Sequence, residues 1–115
     1  MKGKLFLVGL LLLVCTLAFA QNQEFERLLG EFEGLAKEYE KFANEVTRNP
    51  NGDYTNRINN LQRRANNLQS RYNSWLTAMA NSPSAPVPTD SQNRRLLNAM
   101  DRIQKAGTKI AYAYL

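Results

Sequence analysis

The sequence predicts an all-α fold in which an antiparallel, coiled-coil-like helical hairpin and a third helix form a three-helix bundle. Three observations predict it. Two long segments carry unbroken a/d heptad spacing, a short Pro- and Gly-containing break turns the chain back between them, and a third heptad segment follows a proline-rich connector.

The first twenty residues have the pattern of an export signal and stand apart from that fold. Lys2 and Lys4 form a positive start, Leu5 to Leu17 is apolar apart from Gly9 and Thr16, and Ala18-Phe19-Ala20 places small residues before an expected cleavage after Ala20. The stretch from Leu5 to Ala20 is shorter than the roughly 20 residues that span a bilayer. Leu12-Leu13-Val14-Cys15 partly matches a bacterial lipobox. Val14 is bulky where a small residue is usual, however, and Thr16 to Ala20 stays apolar where a polar tether should begin, so Cys15 does not fit a lipoprotein acceptor. Cys15 is the one cysteine, which leaves the chain after Ala20 with none. A small secreted eukaryotic domain usually carries disulfides. Their absence, the Lys-x-Lys start and the lack of an Asn-x-Ser/Thr site predict a bacterial periplasmic or secreted protein. Residues 21–115 are then one helical domain, with helices at about 22–48, 53–80 and 90–114.

In the first segment the apolar residues Phe25, Leu28, Phe32, Leu35, Tyr39, Phe42 and Val46 alternate spacings of three and four. Leu29, Ala36 and Ala43 at e widen the stripe, as expected of a helix touching more than one neighbour. The second segment repeats the pattern through Tyr54, Ile58, Leu61, Ala65, Leu68, Tyr72, Trp75 and Met79. Asn49-Pro50-Asn51-Gly52-Asp53 lies between them, where Pro and Gly stop one helix and Asp53 can cap the next. So short a connection makes the two helices antiparallel neighbours.

Folding there pairs core positions whose numbers add to 100, such as Phe42 with Ile58 and Phe25 with Trp75. Charge offers an independent test of this register. It places Glu31 opposite Arg71, Glu38 opposite Arg64 and Glu45 opposite Arg57, three successive opposite-charge pairs expected to act as structural ion pairs. Each exposed pair contributes about 0.2–1 kcal/mol. Burial of a large apolar side chain contributes roughly 1.5–3 kcal/mol, so the pairs specify register more than they stabilise.

Residues 82–89 cannot continue a helix and form a connector, in which Pro83-x-x-Pro86 serves as a spacer. Thr89-x-x-Gln92 has the pattern of a capping box. Leu96, Met100, Ile103, Gly107, Ile110 and Tyr114 then repeat at heptad spacing, flanked by Ala99, Ala106 and Ala113, small residues suited to the groove of the hairpin. The alternative is that this helix docks on another copy of the chain.

Composition narrows the chemistry. The chain has no histidine, and no cysteine after position 15, so His- and Cys-based metal sites and nucleophile constellations cannot be built in the exported part. Asn49, Asn51 and Asp53 alternate but lack the glycine and closing glutamate of a calcium loop. No catalytic residue, metal site or cofactor is expected, and the protein is expected not to be an enzyme. The seven glutamates of the first helix are expected to form a salt-bridged or solvated face, and Tyr112 to be exposed.

The formal charge of +5 is unevenly spread. Residues 21–48 carry four basic and seven acidic side chains, and residues 49–115 nine basic and three acidic. On the third helix Arg95, Arg102, Lys105 and Lys109 form a basic stripe for which the sequence offers no partner, a candidate contact for an anionic envelope surface or another envelope protein. Were it free, neutralising it would leave stability nearly unchanged. Nucleic acid is not an expected partner, since no recognition motif accompanies the charge. A homo-oligomer is compatible with the pattern. The expected function is that of an exported, non-enzymatic helical interaction or structural protein of the bacterial cell envelope. The alternatives are a periplasmic holdase chaperone or a small inhibitor or immunity-type binding protein.

Overall fold

An apolar repeat of 3.5 residues gives an amphipathic helix wherever no turn interrupts it, and one apolar stripe must then be buried against another. The computed structural model describes residues 14–82 and 87–114. Within them are α1 (Val14–Arg48), α2 (Thr55–Ala80) and α3 (Asp90–Tyr114), and no strand, so the fold is an all-α three-helix bundle. Lys2, Lys4, the apolar run up to Leu13 and Pro83-x-x-Pro86 lie outside the described residues. Among the described residues no helix is long and apolar enough to cross a membrane.

The helix ends differ from the sequence expectation at two places. Among the described residues α1 is already helical from Val14, ahead of residue 22, with no proline between Val14 and the heptad segment. α2 begins at Thr55, two residues beyond Asp53, with Tyr54 as the non-helical N-cap residue. The Asp53 carboxylate accepts the Thr55 N–H at 3.2 Å, and the Ile58 N–H bonds the Tyr54 carbonyl at 2.9 Å. The Tyr54 side chain is pinned instead: its hydroxyl donates to the Asn49 carbonyl at 2.6 Å, and its ring lies edge-on to Phe42 at 5.3 Å. A methyl group on Gly52 would sit 2.7 Å from that ring, so the turn requires glycine by close approach. At the start of α3, Thr89 and Gln92 exchange bonds of 2.9 and 3.1 Å, a reciprocal capping box.

α1 is the common partner. Its apolar stripe is buried from Phe25 to Val46, including Leu29, Ala36 and Ala43. α2 packs on one side of it through Leu61, Leu68 and Trp75, with Trp75 stacked on Phe25 at 4.6 Å and Tyr72 edge-on to Phe32 at 6.2 Å. α3 packs on the other side, and the more closely of the two. Its buried contacts are Leu96, Ala99, Ala106 and Ile110. Ala99 and Ala106 lie 63 residues beyond Ala36 and Ala43, and all four are buried, so two small-residue rows meet at the same levels and let the backbones approach. A constant difference in residue number means α3 runs parallel to α1.

This placement departs from the expectation that α3 would enter the groove of the hairpin. It lies beside α1 because α1 offers a second apolar edge at Leu29, Ala36 and Ala43. Among the described residues, α2 and α3 make no close backbone contact with each other. The result is a layer measuring 55 × 31 × 15 Å, with α1 in the middle.

Gly30 and Gly34 lie on the outer face of α1, where an added methyl group meets nothing within 4 Å. Replacing either by Ala is expected to raise stability by about 0.5–1 kcal/mol, because a helix-interior glycine loses more backbone entropy on folding. Gly52→Ala is expected to cost about 1–3 kcal/mol by displacing the packed Tyr54 ring. Urea denaturation of the three variants checks both signs, and a destabilised Gly30→Ala would show that the outer face of α1 is covered.

Candidate functional site

All seven glutamates of α1 are ion-paired. On the α2 side Arg57 meets Glu45, Arg64 meets Glu38, and Arg71 grips both oxygens of Glu31 at 2.7 and 2.8 Å while reaching Glu24 at 3.3 Å. Arg57 also lies over the Phe42 ring, 4.4 Å from its centre. The structure therefore brings the Glu31–Arg71, Glu38–Arg64 and Glu45–Arg57 partners together.

On the α3 side Arg95 holds Glu33 with a bidentate fork at 2.7 and 3.1 Å and touches Glu26 at 3.4 Å, while the Arg102 Nε donates to Glu40 at 3.0 Å. The basic stripe is thus not free. Arg95 and Arg102 form the α1–α3 seam, Lys105 pairs with Asp101 of its own helix at 3.0 Å, and Lys109 donates to Asn44 at 3.2 Å. The physical reason is that Glu33 and Glu40 stand 62 positions before Arg95 and Arg102, so two combs of opposite charge and seven-residue spacing meet in parallel. Asp101, one turn before Lys105, is the acidic partner that the stripe was expected to lack.

These pairs set how the carboxylates titrate. Hydrogen bonding from the facing arginine, aided by its charge and opposed by partial desolvation, holds Glu31, Glu33, Glu38, Glu40 and Glu45 below their ordinary value. Tyr39 is shifted upward, chiefly by burial. Among the described residues no group of three or more His, Cys, Asp or Glu is placed to hold a metal ion.

What remains unfilled is apolar. Because the backbones of α2 and α3 stay apart, a groove of about 420 Å³ opens between them over Tyr39 and Phe42 of α1. Ile58 and Leu61 form one wall, and Gly107, Ile110 and Tyr114 the other. Thr55, Asn59 and Gln62 supply its polar rim, and no charged residue lines it. At one end Tyr54 and Tyr114 meet edge-on at 5.9 Å and close it. The same face continues along both helices, with Ala65, Tyr72 and Met79 half-buried on α2 and Met100 and Ile103 on α3. Leu97 remains 66% exposed beside Met100. Two other depressions, near Glu31–Arg64 and Glu38–Arg57, are walled by the ion-paired seam. Tyr112 is 86% exposed and contributes to none of them.

The groove was partly legible as a pattern. The heptad residues Ile58, Ala65, Tyr72 and Met100 marked core positions, but nothing in the spacing said that they would be only half-buried while Leu61, Leu68 and Trp75 are buried. Gly107 at a core position was the available signal, since it leaves the α3 wall without a side chain. Compared with protein-family models, curated proteins and solved structures, the chain matches none of them, so the geometry alone carries the functional argument.

Neutralising Arg95, Arg102, Lys105 and Lys109 to Gln is expected to lower stability, because the two arginine pairs are lost. A double-mutant cycle of Glu33→Gln with Arg95→Gln should give a coupling of about 0.5 kcal/mol, and zero coupling would remove the parallel comb. The pH dependence has a definite sign. The unfolded glutamates titrate near about 4.3, above the folded ones, so the stabilisation present at neutral pH is lost as the pH falls through the carboxylate range. Tm measured from pH 7 to pH 3 should fall most steeply below about pH 4.5, and less steeply in Glu33→Gln.

Proposed function

We propose that the chain, once exported and shortened by residues 1–20, is a non-enzymatic helical interaction or structural protein of the bacterial cell envelope, and that the open face between α2 and α3 is its contact surface. The observation that carries this reading is the uncharged apolar groove between two helices that share α1 but not each other. Apolar surface left in water costs roughly 25 cal/mol per Å², and a contiguous strip of it marks an interaction site more often than a scatter of single residues does. Arg95, Arg102, Lys105 and Lys109 support an anionic partner poorly, since carboxylate and amide partners already hold these four. The partner class that suits the face is a protein with an apolar helical surface.

Photo-crosslinking in the native envelope tests this. A crosslinker at Gln62 or Gln104, on the rim of the open face, is expected to capture a protein, and one at Lys37 on the outer face of α1 is not. Adducts from Lys37 alone would overturn the reading. Intact-mass measurement of the exported protein should give a chain starting at Gln21, and retention of residues 1–20 would overturn the processed form.

A further inference from the structure

We infer that the occupant of the open face is a second copy of this chain, two helical layers closing face to face. The inference rests on the reading of that face as a contact surface and names its partner. A single layer of helices with one apolar face is half of the usual two-layer domain, and 15 Å of thickness is one layer only. The face is broad and shallow, two helices wide, which suits another two-helix face better than one inserted helix.

Charge points the same way. In a two-fold interface each residue meets itself or its equivalent, so a strip of one charge would repel itself. On α2 the positions facing the opening run Ile58, Gln62, Ala65, Gln69, Tyr72 and Leu76, without a charge. On α3 the residues that line the groove or are half-buried along it, Met100, Ile103, Gly107, Ala111 and Tyr114, are again uncharged. Arg57, Arg64, Arg71, Arg95 and Arg102 are drawn to the α1 seams, which keeps these five cations off the groove lining. Selecting a different charged partner would ordinarily use complementary charges at such flanking positions.

The area is also adequate. α2 has 26 residues and is about 39 Å long, and two helices flanking a third are separated by about 16–20 Å. Their product is a footprint of about 700 Å² per copy, close to the roughly 800 Å² per partner of a standard stable interface.

Sedimentation equilibrium of the purified exported protein tests the inference. The expected result is a dimer at about 100 µM, well above the roughly micromolar dissociation constant that a small interface gives. The paired substitution Gln62→Arg with Gln104→Arg puts like charges on exposed rim positions without touching the core. It should weaken dimerisation at least about tenfold, more at low salt, with helicity and Tm of the dilute monomer unchanged. Lys37→Glu on the outer face should leave the dimer intact. A wild-type chain that sediments as a monomer at about 100 µM, or a dimer indifferent to the arginine pair, would overturn the inference. Crosslinks from Gln62 to a different protein, with no self-adduct, would overturn the pairing of copies while leaving the contact surface standing.

Discussion

The apolar stripe of α1 is too wide for one partner, and everything else follows from that width. A strict a/d seam serves one neighbouring helix. Here the added e positions Leu29, Ala36 and Ala43 give α1 a second seam, and all three are buried. Each seam has its own acidic border, Glu24, Glu31, Glu38 and Glu45 toward α2 and Glu26, Glu33 and Glu40 toward α3. Burial supplies the stabilisation, and the borders decide which helix lies on which side and in which direction. An antiparallel neighbour needs pairs of constant sum and a parallel one pairs of constant difference. The two combs of α1 meet one of each.

The two seams also differ in kind. Toward α2 the packing is aromatic, with Phe25 on Trp75, Phe32 against Tyr72 and Phe42 against Tyr54. Large rings hold those helices apart. Toward α3 the contacts are alanines at Ala36, Ala43, Ala99 and Ala106, and the helices lie closer. The two seams lie far enough apart around α1 that the backbones of α2 and α3 make no close contact, and the groove over Tyr39 is the consequence.

Most of the fold was legible in the sequence because heptad spacing, the Pro50–Gly52 break and the Thr89–Gln92 cap each act over a few residues. The hairpin register was legible because aromatic and charged positions report it independently. Two things were not. The side of α1 on which α3 lies depends on contacts 62 residues apart, and the stripe of Arg95 and Arg102 looked free because Glu33 and Glu40, read only as part of a salt-bridged or solvated face, had no named partner. The groove was hidden for a related reason. A heptad shows which residues are apolar, but whether Ile58, Tyr72 and Met100 are covered depends on the angle between two seams, to which a one-dimensional pattern is blind.

The parallel arrangement of α1 and α3 bears on the order in which the chain assembles. Closing α1 directly onto α3 costs the loop entropy of about 62 residues for every contact, and this cost rises only slowly with loop length. Once α2 has folded back on α1, however, the start of α3 is tethered by only the nine residues between Ala80 and Asp90. That shorter tether favours closing the hairpin first and docking α3 afterwards. In refolding experiments, truncating Leu61 or Leu68 should slow folding, whereas enlarging Ala99 or Ala106 should chiefly hasten unfolding. The nine-residue connector thus replaces a long chain closure by a short one for the third helix.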